Sequence, residues 1–327
     1  MNSFSFSASC ILVAAFVLIS GGCECAQRHS EDEATDLDGE VPAVHSESEP
    51  PESDDDRRRE LFDKVLDNPH LDAPRKEYAR HLDERGDPRG KFIKASLKMA
   101  AIPPGERRGN PEYVGALARA ELIWLENYRE WTADIPEYVT LPEGGLFYWY
   151  HRGFLARVKL SASDWMEHHQ QLLSSFPIQD VSIERMDVDF ESFITDESLE
   201  PIRVLVLNGL GLTSEDVAIL ADSPAIAEVR NLFLDGNDID CEGFEALIES
   251  DHLDQLHDVT TSSNPCAPKM IVEVDERNEP TRSYLNEKAK ELERKHGRIE
   301  WLHHPYPLGP AMFEYQTDRY LEWYPPK

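Results

Sequence analysis

Two histidine pairs, His168-His169 and His303-His304, are the first candidates for chemistry in this 327-residue chain. Two imidazoles share a zinc ion only if both can reach it. The first pair lies with Trp165 and Leu172 in a stretch that reads as a helix, where adjacent side chains point apart. The second follows a segment that reads as a strand, where neighbours face opposite sides. Neither pair is expected to hold a metal, and no H-E-x-x-H occurs. The five cysteines (Cys10, Cys23, Cys25, Cys241 and Cys266) include no C-x-x-C and no zinc-finger spacing. No disulfide framework is expected from them; Cys241 and Cys266 fall where small buried residues are expected. The chain has no G-x-S-x-G elbow, phosphate loop or G-x-G-x-x-G fingerprint. Its 63 acidic residues are too many for one pair to stand out as acid and base. No catalytic residue, metal or cofactor is assigned, and the chain reads as a non-enzyme. What remains is RGDPRG at 85–90. Its arginines beside a helix start could attract an anion. Gly86, Asp87-Pro88 and Gly90 suit a turn between helices better. An Asp–Arg bond within the corner is expected to tie it.

The elements around that corner are helical. RRELFDKVLDNP places Leu61, Phe62, Val65 and Leu66 on one face, and Asn68-Pro69 stops the run. DAPRKEYARHLDERG restarts it, with Pro74 in the first turn, Tyr78 and Leu82 on one face, and Gly86 past the end. GKFIKASLKMA offers Phe92, Ile93, Leu97 and Ala100 for burial. Three short helices are expected to pack together. A fourth, 111–131, is expected to bury Val114, Leu117, Leu125 and Tyr128, with Trp124 and Trp131 as core aromatics. GGLFYWYHRGF is expected to close the gap between this helical unit and the next part of the chain.

The stretch LFDKVLDNPHLDAPRKEYARHLDERGDPRGKFIKASL resembles the short bacterial repeat-companion domain. The matching residues are Asp72, Pro74, Arg75, Tyr78, Ala79, Leu82, Glu84 to Gly90, Phe92 and Ile93. Where that pattern carries Trp, Asp and an acid, this chain has His81, Arg80 and Lys91. The resemblance attributes no reaction to the domain and implies repeats downstream.

Such repeats are present. IRVLVLNGLGLTSEDVAILADSPAI and VRNLFLDGNDIDCEGFEALIESDHL superpose at an offset of 27. Leu205, Leu207, Leu210, Leu212, Leu220 and Ile226 fall on Leu232, Leu234, Asn237, Ile239, Leu247 and Leu253. The pattern resembles a leucine-rich repeat of the longer, ribonuclease-inhibitor-like kind. It implies a short strand with alternate residues inward, an Asn where the chain turns, and a helix on the outer side. The register extends to Val259, Thr261, Asn264 and Cys266, and back to Val181 and Val158. Ile299 and Trp301 would form a last strand, making about six, with an inserted hairpin or loop near 267–280.

The N-terminal stretch CILVAAFVLISGGC is apolar, uncharged and too short to span a bilayer comfortably. It resembles a bacterial lipoprotein signal that would lipidate Cys23; simple cleavage near Ala26 is the alternative. Between Ser30 and Asp56 stand 12 acidic residues and no Lys or Arg. Such a segment cannot bury enough surface to order itself. The formal net charge of −30 repels phosphate backbones, so nucleic acid is not an expected partner.

The expected architecture is α/β: a small helical unit followed by a short leucine-rich-repeat solenoid, with parallel strands on one face and helices on the other. The expected segments are a leader at 1–25, an acidic linker at 26–56, and the helical unit at 57–140. The array is expected at 141–302 and a C-terminal cap at 303–327. The expected role is an exported, membrane-anchored scaffold for an unidentified protein or peptide. It would act as a monomer and touch the membrane only through the lipid anchor. Val204, Val206, Asn208, Phe233, Asp235, Thr260 and Ser262 would face the partner. A structural envelope protein without a specific partner is the alternative, then an enzyme built around the aromatic 145–154 segment.

Overall fold

A computed structural model of the chain describes residues 53–107, 109–140, 146–274 and 280–303. The chain divides after Pro50, and every described residue belongs to the unit Pro51–Lys327. The leader with Cys23, the linker as far as residue 52 and the cap beyond His303 lie outside the described residues.

The side chain of Ser53 accepts the amide of Asp56 and so caps helix α1 (Asp54–Asp67). Helix α1 therefore begins before the expected start of the helical unit at 57. Asp54, Asp55 and Asp56 form the first turn, where carboxylates complement the helix dipole. Leu61 and Val65 of α1 pack on Tyr78, Ala79 and Leu82 of α2 (Asp72–Glu84) and on Ile93 and Leu97 of α3 (Pro88–Ala100).

RGDPRG is the corner between α2 and α3. Gly86, with φ +77°, donates its N–H to the Asp83 carbonyl at 3.0 Å, and Asp87 donates to the Leu82 carbonyl at 3.0 Å. This paired closure satisfies the last carbonyls of α2. Asp87 then caps α3, accepting the Arg89 N–H at 2.8 Å, and Pro88 opens the helix. A Cβ on Gly90 would lie 2.6 Å from the Ala79 carbonyl oxygen, so α3 crosses α2 on bare backbone. The expected Asp–Arg side-chain bond within the corner does not form. The charges reach α1 instead: Arg58 to Asp87 at 3.1 Å, and Arg85 to Asp54.

After the short α4 (Pro104–Arg107), Asn110 caps α5 (Pro111–Trp131). The buried face of α5 is Ala116, Ala120, Trp124 and Trp131, packed on Phe92 and Ala95. Val114, Leu125 and Tyr128 are exposed, contrary to expectation. The alanines let α5 approach α3 closely, and that contact outweighs the burial of larger residues on the other face.

A two-residue turn joins β1 (Tyr150–His151) to β2 (Phe154–Leu155). Within it the buried Arg152 reaches the His70 carbonyl at 2.8 Å and Asp72 at 3.1 Å. It thereby fastens the hairpin to the start of α2.

Five parallel strands come next, in sequence order: β3 (Arg157–Ser161), β4 (Asp180–Arg185), β5 (Val204–Val206), β6 (Asn231–Phe233) and β7 (Asp258–Thr260). Val158 pairs with Val181, then Leu205, Leu232 and Val259. These are the residues that the repeat offsets bring into line. Helices α6 (Ala162–Ser175), α7 (Phe190–Ile194), α8 (Ser214–Ala221) and α9 (Cys241–Glu249) connect the strands. Leu205, Leu207, Leu232 and Leu234 share one core with Val217, Leu220, Phe244 and Leu247 from α8 and α9.

At the far end the expected insertion near 267–280 is an antiparallel hairpin, β8 (Met270–Val274) with β9 (Pro280–Leu285), which runs past 280 and is followed by α10 (Glu287–His296). Ile299 and Trp301 then enter the core at a 3-10 turn, Glu300–His303, and form no sixth strand. The local pattern of alternating apolar residues cannot distinguish a strand from such a turn. Cys241 and Cys266 form a disulfide, which the cysteine spacing did not suggest. Their separation of 25 residues is close to one repeat, so stacking neighbouring units brings them together. Among the described residues no helix is long and apolar enough to cross a membrane.

Candidate interaction surfaces

Of the seven residues expected to face a partner, Val206, Asn208, Asp235 and Ser262 are half-buried and the other three are buried. Val204 is 2% exposed, Phe233 6% and Thr260 6%. Val204, Val206 and Phe233 pack on one another across adjacent strands. The Thr260 hydroxyl accepts the Leu234 N–H at 3.3 Å. The three polar residues at the strand ends bond between repeats. Asn208 accepts the Asp235 N–H at 2.7 Å, and Asp235 accepts the Ser262 N–H at 2.6 Å. Strand alternation correctly separates these positions from the inward leucines. It does not reveal that they bond to the next repeat.

The adjacent turn carries a second ladder. Asn237 accepts the amides of Leu210 and Leu212 at 2.9 and 3.1 Å and donates to the carbonyls of Leu207 and Leu234, both at 2.9 Å. One repeat later, Asn264 accepts Ile239 at 3.2 Å and donates to Leu234 at 2.9 Å. Each asparagine thus satisfies backbone groups of two repeats where strand pairing ends.

A different surface lies open on the helical unit. Lys91, Lys94 and Lys98 recur at i, i+3 and i+7 along α3 and share one face. With Arg119 of α5 they border a groove of about 940 Å³, floored by Ala95, Ala116 and Ile123. Lys94 is paired with Asp83 at 2.6 Å, and Glu112 also lines the groove. Beyond Arg119, α5 presents Val114 at 52%, Leu122 at 63% and Leu125 at 66% exposure. A basic groove and an aliphatic stripe therefore stand side by side on a strongly acidic chain. The lysine spacing on α3 was legible in the sequence. The stripe was not, because Leu117 and Leu125 satisfy helical periodicity as well as Ala116 and Ala120 do.

The histidines are used singly. His168 stacks on Tyr138 with ring centroids 4.2 Å apart, while the His169 ring lies 3.3 Å from the Trp165 carbonyl. His303 lies 2.7 Å from Glu293, and His304 is outside the described residues. Among the described residues no group of three or more His, Cys, Asp or Glu could hold a metal ion. In the aromatic segment, burial first and then Arg152 hold the His151 imidazole well below its usual range. Burial pushes the Tyr150 phenol up, and its hydroxyl donates to the Trp131 carbonyl at 3.3 Å. Comparison of the chain with family models, with curated proteins and with solved structures finds no match.

Proposed function

We propose that this chain is a non-catalytic binding scaffold of the bacterial cell envelope, exported and anchored through Cys23. In this reading a repeat-companion-like helical unit caps a leucine-rich-repeat array. The strand register and the Asn237–Asn264 ladder support the repeat assignment. The Cys241–Cys266 disulfide supports export, because disulfides persist in oxidising compartments. The binding reading rests on one observation, the aliphatic stripe of α5 beside the Lys91–Lys94–Lys98 groove. Exposed aliphatic residues bordered by charge mark contact surfaces. The basic groove favours an acidic protein segment with apolar anchors of its own.

Capture from envelope extracts tests this. Full-length chain is compared with Leu122→Glu/Leu125→Glu and with Lys91→Glu/Lys98→Glu. Proteins retained by the parent should be lost from both variants. Equal retention by all three would remove this face from consideration.

A further inference from the structure

A partly open cavity of about 390 Å³ lies at the junction between the helical unit and the sheet. Its walls come from α1, α2, α3, the end of α5, the β1–β2 hairpin and the end of α6. Cavities of this size at the meeting of two structural units are common ligand sites. Here the walls are aromatic. Phe62 stacks on Phe154 with centroids 6.1 Å apart, and Phe92 meets Trp131 at 5.1 Å and Tyr150 at 6.2 Å. Water against such rings gains few hydrogen bonds, so an apolar ring that displaces it gains free energy.

Two cationic groups, Arg58 and Arg89, line the cavity, with Asp134 as the single carboxylate among the described lining residues. Arg58 also holds Asp87 at 3.1 Å. Arg89 has its guanidinium carbon 5.7 Å from the Trp131 ring centroid, and its pairing with the exposed Glu130 is long, at 3.9 Å. A guanidinium laid on an indole keeps its outward N–H groups available, and their fork matches a carboxylate.

We infer that this cavity binds a small aromatic carboxylate, with its ring among the aromatic walls and its carboxylate at Arg58 and Arg89. Neither half of the match suffices alone. The rings would accept any apolar molecule, and exposed arginines would accept any anion. Their convergence selects a molecule that has both parts. This inference does not rest on the α3/α5 surface.

The test uses full-length chain and naphthalene-2-carboxylate as the probe, followed by calorimetry and tryptophan fluorescence. Saturable one-to-one binding is expected, at least tenfold tighter than for the neutral 2-naphthamide. Arg89→Gln should weaken the carboxylate at least tenfold and leave the amide unchanged. Ser175→Trp, which places an indole in the cavity, should abolish both. Leu122→Glu/Leu125→Glu should change neither, which separates the cavity from the aliphatic stripe. Arg58→Gln also loosens the corner at Asp87, so Arg89→Gln decides if that variant unfolds. Equal affinity for acid and amide, insensitivity to Arg89→Gln, or no binding at millimolar probe would each overturn the inference.

Discussion

Asn237 and Asn264 donate to the same carbonyl. Each side-chain amide lies 2.9 Å from the oxygen of Leu234, one from its own repeat and one from the next. A backbone oxygen has two acceptor positions, and here neighbouring repeats occupy both. The repeats are coupled through buried polar groups as well as through leucines.

Replacing Asn237 by Leu removes four bonds to the backbone of two repeats. Two amides and two carbonyls lose that partner away from water. The expected loss is about 3 to 5 kcal/mol. Asn264→Leu should cost less, because that side chain is only partly buried. Urea unfolding gives both values, and equal midpoints for parent and Asn237→Leu would contradict the ladder.

The Cys241–Cys266 bond closes a loop of 25 residues in sequence separation. Such a crosslink contributes about 3 kcal/mol by limiting the unfolded chain. Dithiothreitol should lower the unfolding midpoint of the parent and leave the Cys241→Ser/Cys266→Ser variant unaffected. If both respond alike, the bond does not stabilise the fold.

The two glycines of the RGDPRG corner should differ in cost. An alanine at Gly86 meets no atom within 4 Å and suffers only from φ +77°, about 1 kcal/mol. At Gly90 the new methyl would press on the backbone of Ala79 and Asp83, both at 2.6 Å. Separating α2 from α3 should cost about 2 to 3 kcal/mol. Thermal unfolding of the two variants orders them, and a larger loss at Gly86 would refute this account of the crossing.

Asp187 lies across the start of α6, where its carboxylate accepts the N–H and the hydroxyl of Ser163, each at 2.9 Å. Burial pushes the carboxyl up, but these bonds and the Arg185 guanidinium outweigh it and hold the group at about 2. The folded state therefore binds the proton more weakly than the unfolded state. Its stabilising contribution is complete above the unfolded value of about 4 and is lost as pH falls towards 2. The stability difference between the parent and Asp187→Asn should be largest near pH 5 and narrow by pH 2.5. Urea midpoints at the two pH values measure it; a gap that does not narrow excludes this linkage.

Local chemistry is legible in the sequence where a residue type has one efficient use. Gly86, Asp87 and Pro88 end one helix and begin the next, and that arrangement is present. A repeat offset is similarly unambiguous, because parallel pairing aligns equivalent residues, and Leu205 does pair with Leu232. Sequence patterns fail where two surfaces compete for one burial site. On α5 either the alanines or the larger aliphatics could have faced α3. They fail again at Ile299 and Trp301, where alternation fits both a strand and a turn.

By itself, the sequence determined the parallel register, the asparagine positions and the helical corner, because each depends on residues adjacent in the chain or one repeat apart. Tertiary structure alone decided which face of α5 stays exposed, that Cys241 meets Cys266, and that Arg58 and Arg89 converge on an aromatic cavity. These outcomes depend on distances between distant segments. Such distances are set by how side-chain volumes pack in three dimensions, which no linear pattern records.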